Sequence, residues 1–346
     1  MLTNRTAFAA ALAALAALLL PAQAPAAPVA NPSSGSAWRL PPPPYPAANP
    51  YSEAKAKLGR QLFFDPRLSG DPSQACATCH NPGLGWADGM RRAMGGNRAL
   101  GRHTPSLFNL AYLRAFFWDG RAQTLEDAIA QHILAPVTGE SSSAVDIERR
   151  IGSLAGYRAA FRQAFESPRI TFDRIVQALA TFVRGIVSRD SAFDRWLGGD
   201  ATAMSEEARE GFALFTGKAG CVRCHSGPAF TDSRFHNIGL NSVDPGHFEV
   251  SGRPEDRNTF RTPGLRNVAA TPPYMHNGSL PTLDAVIEFF NRGGDRIGPG
   301  NELKPLGLSR EEKRDLRAFL DSLTGGETEM PVPILPRGII RTGARR

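Results

Sequence analysis

The chain has 346 residues, of which 42% are hydrophobic, 8% aromatic and 21% charged. This composition is that of a globular protein with room for two domains, and it excludes disorder as the main state. The 40 basic and 33 acidic residues give a formal net charge of +7. Because the arginines are scattered among acids and form no basic stripe, we expect no nucleic-acid partner.

The first 26 residues have the features of a secretory signal peptide. Arg5 supplies a positive charge, residues 7–20 form an apolar run, and small residues follow up to Ala26. A membrane anchor is the alternative, but the run is short for a bilayer span of about 20 residues, and Pro21 closes it. The sequence therefore predicts an exported, periplasmic protein with no membrane span.

Residues 27–50 are rich in proline and include four successive prolines that begin at Pro41. Proline fixes its own φ angle and lacks a backbone N–H, so such segments are extended and semi-rigid. We expect a tether with little regular structure here.

Beyond residue 50 the apolar periodicity is mainly helical. Residues 52–64, 124–134 and 172–187 repeat apolar side chains at helical spacing, and Thr124 and Ser205 are typical helix-capping residues. Loops rich in glycine and proline separate these segments, and no series of alternating strands appears in the sequence. The pattern predicts a mainly α fold with long loops.

All four cysteines lie in two copies of the motif C-x-x-C-H, at residues 76–80 and 221–225. The motif is typical of covalent c-type haem attachment, in which two thiols bond the vinyl groups and the histidine binds the iron. A four-cysteine zinc site and a redox-active dithiol are the alternatives, but neither explains a histidine after each pair. The predicted attachment residues are Cys76, Cys79, Cys221 and Cys224, and the predicted iron ligands are His80 and His225.

The two motifs lie about one domain apart, which predicts two haem domains. We place these domains at residues 51–200 and 201–326. The remaining residues, 327–346, form a basic tail that includes Arg345 and Arg346, and we expect this tail to be solvated.

Further segments carry a family resemblance. They are LGRQLFFD at residues 58–65, TPSLFN at 104–109, FWDGR at 117–121, FRTPGLRNV at 260–268 and PPYMHNGS at 272–279. Together with the haem motifs, and in this order, they resemble the bacterial di-haem cytochrome c peroxidase superfamily, which includes MauG-like enzymes. The resemblance implies two cytochrome-c-like domains, with peroxide reacting at the N-terminal haem and the C-terminal haem relaying an oxidising equivalent.

In that family the peroxidatic haem is either open or capped by a removable histidine in the loop after the motif. Residues 81–102 contain no histidine, so the resemblance implies an open N-terminal haem. Met90 and Met94 lie in this loop, and we expect them to fill irregular gaps rather than bind iron.

The resemblance also assigns two catalytic roles, proton transfer to Glu140 and electron relay to Trp118. A carboxylate can take a proton from peroxide and deliver it to the departing oxygen. A solvated glutamate and a buried interface side chain are the alternative interpretations. The family's neighbouring glutamine has no clean counterpart, because Ala128 occupies its position and Gln131 only lies nearby.

The second haem departs from the family at one position. The Met or Tyr that binds its iron in relatives falls on Phe290, which has no lone pair to donate. Either this haem lacks the ligand, or Met275 or His276 replaces it. MauG-like stabilisation of a high oxidation state depends on that ligand.

The resemblance further implies a calcium ion between the haems. Thr271 and Pro273 match the family pattern, but His103 replaces an asparagine, and imidazole is a poor ligand for a hard cation. Calcium therefore stays an open alternative beside the two haem c groups.

These observations predict a di-haem c-type peroxidase that reduces hydrogen peroxide to water. The electrons would come from a small donor protein, either a cytochrome c or a cupredoxin. MauG-like oxidation of a protein substrate is one alternative. A non-enzymatic di-haem electron carrier is another, and it would need neither a distal carboxylate nor an open iron.

Overall fold

The computed structural model describes residues 35–69, 71, 73–95, 98–135, 143–296, 300–326 and 330–338. Helices dominate this part of the chain. They are α1 (Glu53–Phe64), α2 (Cys76–Cys79), α3 (Leu125–Leu134), α4 (Ala144–Gly152), α5 (Ala155–Phe165), α6 (Phe172–Arg184), α7 (Ala192–Leu197), α8 (Glu206–Thr216), α9 (Phe248–Ser251), α10 (Leu283–Asn291) and α11 (Arg310–Ser322).

Apart from isolated bridges, the β-strands of the described residues form two short antiparallel pairs. The strand β1 (Met94–Gly95) pairs with β2 (Arg98–Ala99), and β3 (Phe235–His236) pairs with β4 (Phe260–Arg261). Long loops connect the helices, so the predicted mainly α class with long loops is confirmed.

The predicted capping residues begin helices. The Thr124 hydroxyl accepts a hydrogen bond from the Asp127 N–H at 3.0 Å, ahead of α3. The Ser205 hydroxyl accepts one from the Ala208 N–H at 3.2 Å, ahead of α8. Each cap satisfies an N–H that the first helical turn leaves unpaired.

A first hydrophobic core forms where α1 crosses α6. The two backbones touch at Gly59, where an added Cβ atom would lie 1.9 Å from the carbonyl oxygen of Ala178. Leu62 and Leu179 are buried beside this crossing. Burying one such side chain contributes roughly 1.5–3 kcal/mol, so the crossing depends on a glycine that lets the apolar faces approach.

A second core forms in the same way where α8 crosses α11. A Cβ added at Gly211 would lie 1.9 Å from the carbonyl oxygen of Asp315 and 2.8 Å from the Cβ of Phe319. Phe212 and Phe319 are buried in this core. The two halves of the chain thus repeat one helix crossing.

The cores divide earlier than the predicted boundary after residue 200. Ile186 is buried in the first core, whereas Phe193 of α7 is fully buried in the second. Helix α7 therefore packs with the C-terminal half, because its phenylalanine contacts Phe212 with ring centroids 5.2 Å apart.

Part of the predicted tether is built into the fold. Trp38 is 1% exposed and stacks on Phe230 at 4.9 Å, and its carbonyl accepts a 2.8 Å hydrogen bond from Arg266. Residues 35–38 form a 3-10 helix. The expectation of little regular structure is corrected here, since burial of one tryptophan anchors the segment to the second core.

The first part of the predicted basic tail is hydrogen-bonded to the rest of the fold, although Ile334 stays 90% exposed. The Ile334 and Pro336 carbonyls accept hydrogen bonds from Gln61 at 3.1 Å and Arg67 at 2.9 Å. Residues 330–338 therefore return to the N-terminal half, while residues 339–346 lie outside the described residues. No helix among the described residues has the length and apolar run needed to cross a bilayer.

Candidate haem sites

The first attachment motif forms a single helical turn, α2. The His80 N–H donates to the Cys76 carbonyl at 2.9 Å, which sets the histidine directly after the two thiols. Its Nδ1 lies 3.1 Å from the carbonyl oxygen of Trp86. This contact fixes the ring and leaves Nε2 as the nitrogen available to a metal.

The second motif repeats this geometry on a 3-10 turn over Cys221–Arg223. The His225 N–H donates to the Cys221 carbonyl at 2.9 Å, and its Nδ1 lies 3.0 Å from the carbonyl oxygen of Phe230. Both motifs therefore present one imidazole nitrogen beside a pair of thiols.

Burial sets the protonation of these groups. It lowers the pKa of His80 to about 4, with the neighbouring His132 as the next cause, and it also lowers the pKa of His225. A neutral imidazole is the form that binds metal. Burial raises the pKa of Cys76 and Cys221 to about 12, which does not suit a redox-active dithiol, since that chemistry needs thiolates.

The four cysteines do not converge on one zinc site. Cys76 packs against the first core and Cys221 against the second. Within the described residues, the donors that lie close enough to hold an ion are Cys224, Asp232 and His236. That group includes Cys224, a predicted haem-attachment thiol. Both nitrogens of His236 already contact carboxylates, at 2.9 Å to Asp232 and 2.7 Å to Glu302.

A cavity opens beside the first motif. It is lined by Asp65, Leu68, Ser69, Gln74, Ala75, Cys76, Cys79, His132 and Ile133. Two thiols, a fixed imidazole and an adjoining cavity fit the requirements of a covalently attached haem.

His132, which the sequence interpretation did not select as a site residue, lines this cavity and lies close to the ring of His80. It lies in the last turn of α3, and its ring centroid is 6.2 Å from that of His80, with the ring planes at 65°. Burial lowers its pKa. The signal was present in the helical periodicity, because Leu125, Ala128 and His132 recur on one face of α3.

Trp118 lies where segments of the two halves meet. Its indole Nε1 donates to the His103 carbonyl at 2.9 Å, and its own carbonyl accepts from the Arg261 N–H at 2.9 Å. The bond equivalent to that between Arg261 and Trp118 runs from the His103 N–H to the His276 carbonyl at 2.7 Å. Trp118 and His276 thus hold equivalent positions at this junction.

An ionic cluster next to Trp118 ties the same segments together. Asp119 is 3% exposed and binds Arg102 at 2.5 Å and Arg121 at 2.8 Å. Arg102 also binds Asp244 at 2.7 Å. Burial opposes ionisation of Asp119, but the hydrogen bonds from Arg102 outweigh it and its pKa is lowered.

Three other residues from the sequence analysis are Glu140, Phe290 and His276. Glu140 lies outside the described residues. Phe290 is partly buried on α10, edge-on to Phe289 at 5.4 Å. His276 stacks on Phe260 at 3.6 Å and its Nε2 lies 3.0 Å from the Ser242 hydroxyl, so its ring is already engaged.

At the expected calcium position, the side chain that replaces the family's asparagine is already engaged. The Nδ1 of His103 lies 2.7 Å from the Met90 carbonyl, and the Thr271 hydroxyl donates to the Val268 carbonyl at 3.1 Å. Calcium prefers several oxygen ligands, and carboxylates above all. The His103 imidazole, which stands where the family has an amide, is already hydrogen-bonded and is a poor calcium ligand.

Residues 53–202 match the family described as di-haem cytochrome c peroxidase, and residues 259–293 match a RoxA-like, cytochrome c-like family. The methylamine utilization protein MauG of Methylorubrum extorquens is 46% identical over 299 residues, which cover 85% of this chain and 84% of that protein. The chain belongs to the di-haem cytochrome c peroxidase and MauG family.

Other relatives are named as cytochrome c peroxidases or as MauG-like proteins. The cytochrome c551 peroxidase of Nitrosomonas europaea is 36% identical over 304 residues, covering 85% of this chain and 86% of that protein. A solved MauG-like protein associated with microbial copper homeostasis superposes with a TM-score of 0.77 at 33% identity, covering 84% and 94% of the two chains. The predicted family, the cytochrome-c-like fold and the oxidoreductase class are confirmed.

Proposed function

We propose that this di-haem protein is an exported, periplasmic c-type peroxidase that reduces hydrogen peroxide to water. Each turnover consumes one peroxide, two protons and two electrons, and it releases two waters. A small redox protein, a cytochrome c or a cupredoxin, supplies the electrons. The observation that carries the proposal is the pair of attachment turns, each followed by a histidine whose Nδ1 is held by a backbone carbonyl.

A bound haem supplies iron that changes oxidation state and binds small oxygen ligands. The chain supplies attachment, orientation and insulation. The Trp86 and Phe230 carbonyls fix the rings of His80 and His225 and make them better donors. The two hydrophobic cores, both rich in phenylalanine and leucine, exclude water around the attachment turns.

Trp118 is proposed to relay electrons between the two halves. Its indole and its backbone bond segments from both sides of the junction, and the Asp119 cluster stabilises that position. A fixed aromatic ring between two redox centres suits this role.

Glu140 is proposed as the group that moves the proton of peroxide. Loss of a positioned proton-transfer group typically costs about 10²–10⁴-fold in rate. We expect Glu140→Gln to slow the reaction of the protein with peroxide by that factor while both haem spectra stay unchanged. An unchanged rate would place the carboxylate elsewhere.

The proposed function is tested on protein recovered from the periplasm. Its intact mass should contain two haem increments, and Cys79→Ser or Cys224→Ser should disturb one site each. Peroxide should then drive oxidation of reduced cytochrome c or cupredoxin, with two donor molecules oxidised for each peroxide. Two haems without peroxide-dependent donor oxidation would favour the electron carrier instead.

A second candidate function is oxidation of a residue on a partner protein. Two relatives named MauG, at 46% and 41% identity, favour it. This function predicts that peroxide is consumed without donor oxidation, while a co-purifying protein changes mass by loss of hydrogen or gain of oxygen. The two candidates are separated by whether electrons leave a donor or a protein side chain.

A further inference from the structure

The two halves repeat one arrangement of turns ahead of α3 and α10. In the first half, a bridge joins Phe116 to Ala122, and in the second a bridge joins Tyr274 to Leu280. Each repeat has a left-handed asparagine, a left-handed glycine and a threonine cap. The equivalent pairs, all separated by the same number of residues, are Asn109 and Asn267, Gly120 and Gly278, Thr124 and Thr282, Leu125 and Leu283, and Ile129 and Ile287.

The same register makes His132 of α3 equivalent to Phe290 of α10. Each is the eighth residue of its helix, counted from the equivalent leucines Leu125 and Leu283. The first half therefore carries a nitrogen donor at the position where the second half carries a hydrocarbon ring.

His132 differs from the other histidines of the chain in its hydrogen bonding. All seven histidines lie in the described residues, and six have a ring nitrogen in contact with a carbonyl, carboxylate or hydroxyl oxygen. Among these described histidines, His132 alone has no such contact, although its side chain lines the cavity beside Cys76 and Cys79. A ring nitrogen on a cavity-lining side chain that has no hydrogen-bond partner is available to bind a metal.

The separation of the two rings fits a shared iron. Metal–imidazole bonds are about 2 Å long, so two imidazoles that bind one metal from opposite sides have ring centroids about 6 Å apart. The centroids of His80 and His132 are 6.2 Å apart. A histidine that acts on peroxide without binding the iron would have to stand farther away, because the peroxide would lie between.

We propose that His132 is the second axial ligand of the N-terminal haem in the resting protein, opposite His80. The inference rests on the haem attachment in the proposed function but not on peroxide turnover. It replaces the open N-terminal face that the histidine-free loop at residues 81–102 implies. In this proposal α3 supplies the sixth ligand of the N-terminal iron. Phe290 provides no donor at the equivalent position of the second half.

The test is electron paramagnetic resonance of the ferric protein with both haems attached. The parent should show a low-spin signal with two imidazole ligands. His132→Ala should lose this signal and gain a high-spin signal from one iron, and free imidazole should restore the low-spin form. Gln131→Ala, a change of the preceding residue on α3, should leave the spectrum unchanged.

If His132→Ala keeps the low-spin signal of an iron with two imidazole ligands and gains no high-spin signal, the proposal is overturned. If that variant fails to load two haems by mass, His132→Met serves instead. A thioether should then replace the imidazole, and the near-infrared charge-transfer band of the low-spin iron should move. An unmoved band in His132→Met would equally overturn the assignment, whether or not the protein consumes peroxide.

Discussion

The two halves of the protein share a framework and differ in the side chains at their proposed haem sites. Both place a glycine at the main helix crossing, and both hold the proximal histidine through its Nδ1. They diverge at the end of the helix that follows the repeated turns, where one has His132 and the other Phe290. Backbone contacts thus preserve the fold, while single side chains distinguish two otherwise similar metal sites.

The largest effect should come from filling the shared crossings. Gly59→Val or Gly211→Val places side-chain atoms within 2 Å of a backbone carbonyl that cannot move alone. We expect a loss of about 3 kcal/mol or more in the free energy of unfolding, measured as a lower midpoint in thermal unfolding. The matched control is Gly152→Ala on α4, where nothing lies within 4 Å. Equal stability of the valine variants and the control would refute the shared crossing.

Exchanging the divergent side chains should change spin states rather than stability. Phe290→His gives the second half the donor of the first, so we expect the haem at His225 to become low-spin. His132→Phe should leave the first haem high-spin. The ferric visible spectrum and its high-spin band measure both changes. An unaltered spectrum in Phe290→His would mean that the two positions are not equivalent around their haems.

A smaller effect, on the pH dependence of stability, should follow from an ion pair at the end of α1 that has no counterpart at the end of α8. Asp65, which is fully buried at the end of α1, accepts hydrogen bonds from Arg67 at 2.8 Å and Tyr157 at 2.7 Å. The corresponding end of α8 is Gly217. Burial opposes ionisation of Asp65, but the hydrogen bonds from Arg67 and Tyr157 outweigh it and its pKa is lowered.

Because the folded pKa of Asp65 is lowered, its stabilising contribution is present above the unfolded value of about 3.9 and is lost as pH falls through the folded value. We expect Asp65→Asn to cost about 2 kcal/mol at neutral pH and to flatten the fall of stability in acid. Denaturant unfolding at several pH values measures both. Asp173→Asn, an exposed change on α6, should do neither, and a steep acid dependence retained in Asp65→Asn would contradict this role of the ion pair.

The smallest stability effect is expected at the junction between the halves. Trp118→Phe keeps most of the ring packing but removes the hydrogen bond to the His103 carbonyl, which costs about 1 kcal/mol. Electron exchange between the haems should slow more than stability falls, as measured by rapid mixing of half-reduced protein. Trp196→Phe removes an indole from the second core and should leave that exchange unchanged. Equal exchange rates in both variants would exclude Trp118 as the relay.

The sequence by itself determined the features that depend on covalent chemistry and local periodicity. The two C-x-x-C-H motifs predict both haem attachment turns, because the thiols and the histidine must be adjacent in the chain. Helical spacing and threonine or serine caps predicted the helices of the mainly α fold. These signals act within a few residues, so they can be interpreted without knowing which segments meet.

Only the tertiary structure decided which distant residues share a site. The sequence pattern contained His132, but its position near His80 depends on how α3 packs against α6 and returns to the first motif. The equivalence of His132 and Phe290 appears only when the turns ahead of α3 and α10 are compared. Likewise, the sequence places Trp38 in a proline-rich tether, whereas the structure buries it in the second core. Such contacts arise from packing across more than fifty residues of chain, which no local pattern encodes.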